Sequence, residues 1–197
     1  SFLTHDLKMT IIPNLFIIYS QIFSIVFFLI SSGFLFQKTI INTDHKLNFG
    51  EDGLFGFILV GFLSLFFNFF TPLTLIFNSI IFVLVTLISL RKGLYKDINK
   101  NFLGKIIITS FICFLLLIFS TVNRPDAWLY HLPYSKIINE HKIIFGVANI
   151  HARFAHISIF QYISSFFYNY LFFKNGILIP IALVASFFFM FLYVLPS

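Results

Sequence analysis

The run Pro125-Asp126-Ala127-Trp128-Leu129-Tyr130-His131-Leu132-Pro133 brings an acid, an imidazole and two large aromatic rings within nine residues. It begins a few residues after a long apolar stretch. A carboxylate placed there can take a proton from an attacking hydroxyl as the new bond forms. It can also hold a divalent cation, Mg or Mn, that neutralises a phosphate leaving group. The alternative for Asp126 is an ordinary loop or helix-capping aspartate. His131 is either a second acid–base group or a packed or capping histidine. A second cluster, Asn149-Ile150-His151-Ala152-Arg153, offers a planar guanidinium fork that suits a phosphate. The alternative for Arg153 is an interfacial arginine reaching lipid headgroups along its apolar stem. His151 and His156 lie five apart, not at the i, i+4 spacing of a helical zinc pair, so the sequence gives no metal-ligand set. Trp128, Tyr130 and Tyr134 fit an interfacial aromatic belt, and could also stack on a sugar.

The elements that must position these residues are membrane helices. Of the 197 residues 59% are hydrophobic and 10% charged, with a mean hydropathy of +0.96. A soluble domain carries about 25% charged residues and has no way to hide so much apolar surface, so lipid is the solvent for most of this chain. The 32 phenylalanines, like the many Ile and Asn, fit A/T-rich codon usage and carry no function in themselves. The net charge of +6 does not point to nucleic acid, because the basic residues flank apolar runs, as they do when they set membrane topology. The single cysteine, Cys113, excludes a disulfide framework and a cysteine metal site.

The spacing predicts an all-α polytopic fold with about five membrane helices, plus amphipathic juxtamembrane helices in an external loop. Residues 1–122 hold crossings at about 11–36, 54–71, 73–90 and 106–122. The stretch 54–90 is 37 uncharged residues, about 55 Å as one helix against about 30 Å of hydrocarbon. It must therefore fold back, and Thr71-Pro72 is where proline removes a helix hydrogen bond. A polar loop at 123–176 follows, then a fifth helix within 177–197. Within the loop, 134–145 reads as an amphipathic helix with Ile137, Ile138, His141 and Ile144 on one side and Asn139 among the polar residues opposite. Gly146 breaks it. Residues 153–173 read as a second helix that lies in the interface, dips in as a re-entrant element or crosses, and the interface is favoured because polar residues recur along it. The chain begins at Ser1 and stops at Ser197 just after an apolar run, so it reads as a piece of a longer protein, with Met9 as an alternative start.

Arg91, Lys92, Lys96, Lys100 and Lys105 form the densest basic cluster, opposed only by Asp97. By the positive-inside rule this cluster faces the cytoplasm. The next helix exits outward, so residues 123–175 lie outside.

Asp126, Tyr130-His131-Leu132-Pro133, Gly146 and Asn149-Ile150-His151-Ala152-Arg153 together form one extended block. It resembles the D-x-x-x-Y-H-L-P … N-x-H-x-R block of large uncharacterised bacterial multi-pass membrane proteins. Those in turn resemble GT-C type glycosyltransferases, the polyprenol-dependent class. The resemblance implies transfer of a sugar from a polyprenyl-phosphate carrier to an acceptor outside the membrane, with this chain as an N-terminal portion. It also implies that Asp126 activates the acceptor or holds a divalent cation. Beside Asp126 we place His131 as a catalytic candidate, and Tyr130, Asn149, His151 and Arg153 as substrate-binding candidates. The piece alone is expected to be inactive. The competing readings are a non-enzymatic transporter or cell-envelope assembly subunit, and a lipid-linked glycan polymerase or ligase that works without Asp126.

Overall fold

The computed structural model describes residues 15–41, 47–94, 96, 98–119, 131–146, 149 and 158–194, and these form helices joined by turns, with no strand among them. The helices are α1 (Leu15–Phe36), α2 (Phe49–Phe70), α3 (Leu75–Ser89), α4 (Lys100–Phe119), α5 (Leu132–Glu140), α6 (Ile159–Phe167) and α7 (Asn175–Val194). Wide π-type turns extend α1 over Gln37–Ile41 and α3 over Leu90–Leu94. With those extensions, α1, α2, α3, α4 and α7 are, among the described residues, the five helices long and apolar enough to cross a membrane. The chain is built as a membrane protein.

The expected crossings shift where charge was taken as a boundary. Helix α2 starts at Phe49 rather than residue 54 and takes in Glu51 and Asp52. Both acids serve its first turn. The Asn48 N–H donates to Asp52 Oδ2 at 2.8 Å, and Asn48 Nδ2 donates to Glu51 Oε2 at 3.0 Å. This places negative charge at the positive end of the helix dipole. Helix α4 begins at Lys100, six residues ahead of the apolar run, because lysine is a good helix former and ends a bilayer span without ending a helix. The break at Thr71-Pro72 is where it was expected, and the Thr74 hydroxyl then caps α3 by accepting the Phe77 N–H at 3.3 Å.

Helix α1 is the centre of the bundle. From Phe28 to Phe34 every residue is buried, and α2, α3, α4 and α7 pack around it. Its contact with α2 is backbone to backbone. A Cβ at Gly33 would overlap the Asp52 carbonyl oxygen, and one at Gly56 would overlap the Leu29 carbonyl oxygen. Small residues permit this approach, which supplies the van der Waals contact that holds helices together where both are already surrounded by apolar lipid. Helix α3 is peripheral, with only Asn78, Phe82 and Ser89 buried; Ser89 Oγ donates to the Ser31 carbonyl at 2.8 Å to fasten it to α1.

The elements meet at two ends. One end holds the π-type turns after α1 and α3, the start of α4 and the basic residues Lys38, Arg91, Lys92 and Lys100. The opposite end holds the α2–α3 turn, α5, α6 and the start of α7, where Asn175 Nδ2 donates to Gln21 Oε1 at 2.8 Å.

The loop helices differ from expectation. Helix α5 stops at Glu140, short of residue 145, and buries Asn139 together with Ile138. Helix α6 is nine residues, about 14 Å, too short to cross. Nor does it lie flat with one wet face, since every residue from Gln161 to Phe167 is buried among its neighbours. Phe166 stacks on Phe28 of α1 with centroids 5.6 Å apart, and Phe28 stacks on Phe82 of α3 at 4.4 Å. Gln161 and Ser165 of α6 find polar partners within the protein.

Candidate functional site

Asparagine amides build the end that carries the loop. Asn68, two residues before the C-terminal end of α2, donates through Nδ2 to the carbonyls of Ile138 at 3.1 Å and His141 at 3.0 Å. These carbonyls belong to the last turn of α5 and the residue after it, which have no partner inside that helix. The Asn68 carbonyl in turn accepts the Ile143 N–H at 2.9 Å, and the Ile138 carbonyl accepts the Leu73 N–H at 3.1 Å. Helix α5 is thereby stitched to the α2–α3 turn.

Two further amides share one pair of acceptors. Asn139 Nδ2 donates to the Leu73 carbonyl at 2.6 Å and to the Ser165 carbonyl at 2.8 Å. Asn78 Nδ2 donates to the same two carbonyls, each at 2.9 Å, and to that of Tyr168 at 3.3 Å. Both side chains are buried, and among the described residues the Oδ1 of each has no hydrogen-bond partner. The arrangement ties α3, α5, α6 and the α2–α3 turn together at one point. Beside it Leu73, Tyr134, Ile138 and Tyr162 form a small apolar cluster of their own. The Tyr134 and Tyr162 hydroxyls are hydrogen-bonded, and burial raises the Tyr134 hydroxyl above the ordinary phenol value, so it stays neutral at physiological pH.

Of the residues singled out from the sequence, His131 stands at the head of α5 against α6. Gln161 fixes how it is used. Gln161 Oε1 accepts the Ser158 N–H at 3.0 Å, as part of the cap of α6. Its amide nitrogen therefore turns to His131 Nδ1, 3.2 Å away, which must act as acceptor. The neutral ring then carries its proton on Nε2. Asn149 is exposed and closes a turn, its N–H donating to the Gly146 carbonyl at 2.9 Å, with Gly146 at φ 81° where only glycine sits without strain. Asp126, Tyr130, His151 and Arg153 lie outside the described residues, as does Trp128. Among the described residues no three His, Cys, Asp or Glu side chains gather closely enough to hold a metal ion.

Residues 15–195 match a family described as domain of unknown function DUF8201. The chain belongs to the DUF8201 family. No curated protein and no solved structure matches it. In this DUF8201 chain the matched span takes in all seven helices and the whole polar loop.

Sequence reasoning missed the asparagines. Asn68 and Asn78 stand four residues before and six after Pro72, so a pair of amides brackets the break in a 37-residue uncharged run. That bracketing was a usable signal, since an amide within hydrocarbon needs partners.

Proposed function

We propose that this chain carries the acid-bearing external loop of a membrane glycosyltransferase of the GT-C type, which passes a sugar from a polyprenyl-phosphate donor to an acceptor on the outer side of a bacterial cytoplasmic membrane. In this reading the basic end, from Lys38 through Arg91 and Lys92 to Lys100, faces the cytoplasm. The amide-tied end, with α5 and α6, faces outward. Asp126 takes the acceptor proton or holds a divalent cation, and His131 assists. Tyr130, Asn149, His151 and Arg153 bind the donor's sugar and phosphate.

The observation that carries the reading is the mounting of His131. It lies in the same D-x-x-x-Y-H-L-P run as Asp126. Its ring is oriented by Gln161, and the helix it heads is anchored by Asn68 and Asn139. A catalytic loop needs such a rigid support, because reacting groups misplaced by about 1 Å can cost about a hundredfold in rate. The transporter reading would be favoured by an ionisable group working inside a span. Asp52 is buried in α2, but its carboxylate is engaged by the Asn48 N–H and by Gln37 Nε2 at 2.9 Å, as a cap of that helix.

The test is Asp126→Asn in the full-length protein, with sugar transfer to the native acceptor followed at equal protein level. Loss of about 10²-fold or more is expected for removal of a general base. Undiminished transfer removes Asp126 from the mechanism.

A further inference from the structure

Helices α2 and α3 touch at their shared turn, where Phe67 meets Phe77 with ring centroids 5.5 Å apart, and then part. No extended packing joins them further along. Between them opens a groove of about 420 Å³, floored by α1, whose lining is almost wholly apolar. Leu63 and Val60 of α2 face Ile81, Val85 and Ile88 of α3 across it, and Phe166 of α6 closes its inner end.

The other end of the groove is basic. Lys92 lines it. Arg91 is exposed beside Lys92, and Lys38 lies over the Phe34 ring at 5.0 Å. Among the described residues no carboxylate pairs with any of these three cations. From Ile81 to Lys92 the groove wall follows 12 residues, about 16 Å of helix, which is close to half of the roughly 30 Å hydrocarbon thickness. The groove is therefore one leaflet deep, with cations at headgroup level and hydrocarbon walls below.

We propose that this groove is the seat of one anionic phospholipid of the leaflet at the basic end, its phosphate against Lys92 and Arg91 and an acyl chain between α2 and α3, ending at Phe166. Ordinary boundary lipid slides over a convex helix surface. This lipid would fill a concavity and face cations that no carboxylate pairs with among the described residues, which gives it both residence and headgroup preference. The site lies at the end opposite the loop and does not depend on the glycosyltransferase reading.

The test uses the full chain, purified in mild detergent and exposed to an equimolar mixture of chain-matched phosphatidylglycerol and phosphatidylcholine, with bound lipid counted by native mass spectrometry. One retained phosphatidylglycerol is expected, in about tenfold preference to phosphatidylcholine. Lys92→Glu, at an exposed position, should lower that retention about tenfold with the helical circular dichroism unchanged. Leu63→Trp, which fills the groove from its half-open side, should displace the lipid. Equal retention of the two lipids, no retention of either, or retention unchanged by Lys92→Glu overturns the proposal. So does loss in Lys92→Glu with Leu63→Trp unaffected, because the lipid would then sit outside the groove.

Discussion

Asn78 and Asn139 hold the Leu73 and Ser165 carbonyls in common, and this redundancy has a measurable signature. Asn139→Ala leaves both carbonyls a donor from Asn78, and Asn78→Ala leaves them one from Asn139. Each single substitution should therefore cost about 0.5–1.5 kcal/mol, the net value of the lost hydrogen bonds. The double variant strands both buried carbonyls and should exceed the sum of the singles by about 1–3 kcal/mol. Unfolding of the protein in mixed detergent micelles measures all three, and strict additivity would show that the carbonyls find other partners. At this scale the structure locates two of the residues singled out from the sequence, His131 at the head of α5 and Asn149 in an exposed turn, while the amides were not legible. Asparagine was ascribed to codon bias, and Asn139 to the polar side of α5. Its amide was placed by counting helix faces, while its position is decided by two carbonyls that come from elements 66 and 26 residues away.

At the scale of elements the membrane helices were readable because about 20 apolar residues have few other ways to be buried. Their ends were not readable to the same degree. Apolarity marks where the bilayer stops, while capping groups such as Asn48 with Asp52 mark where the helix stops. Helix α6 was the hardest to read, since a nine-residue segment rich in Phe, Ser and Gln has the composition of an interfacial helix. Only its neighbours, Gly61 beneath Ile159 and Ile163 and Phe28 beside Phe166, make it an interior one. The pairing of α1 with α2 was equally invisible, though it rests on glycines. Gly56→Val would drive a side chain into the Leu29 carbonyl and Ser32, with backbone rather than a flexible side chain in the way. We expect it to destabilise the protein by about 1–3 kcal/mol or more. Gly104→Val, where a Cβ meets nothing within 4 Å, is the matched control and should cost less than 1 kcal/mol, the helix propensity of valine against glycine being slightly favourable. Thermal unfolding of the two variants side by side makes the comparison.

For the molecule as a whole, alternation of five spans places the basic end and the amide-tied end on opposite sides of any bilayer it crosses. Cys113 is fully buried in α4, so a Cys113→Ser background should fold and free the chain for single-cysteine labelling. With the basic end cytoplasmic, Lys142→Cys should react with a membrane-impermeant maleimide in intact cells. Lys96→Cys should react only after permeabilisation. The inverse pattern would turn the loop toward the cytoplasm and remove the external acceptor from the proposed reaction.

The shared acceptors also say something about time. Asn78 is made 87 residues before Ser165. A chain threaded into the bilayer from its N-terminus would place α2 and α3 while the amide of Asn78 has only the Leu73 carbonyl to satisfy it. The hairpin would wait in that half-finished state through the whole of α4 and the loop. Packing at this turn is then completed by a late docking event, in which α6 comes in beside α3 and α5 and brings the missing carbonyl with it, ahead of α7.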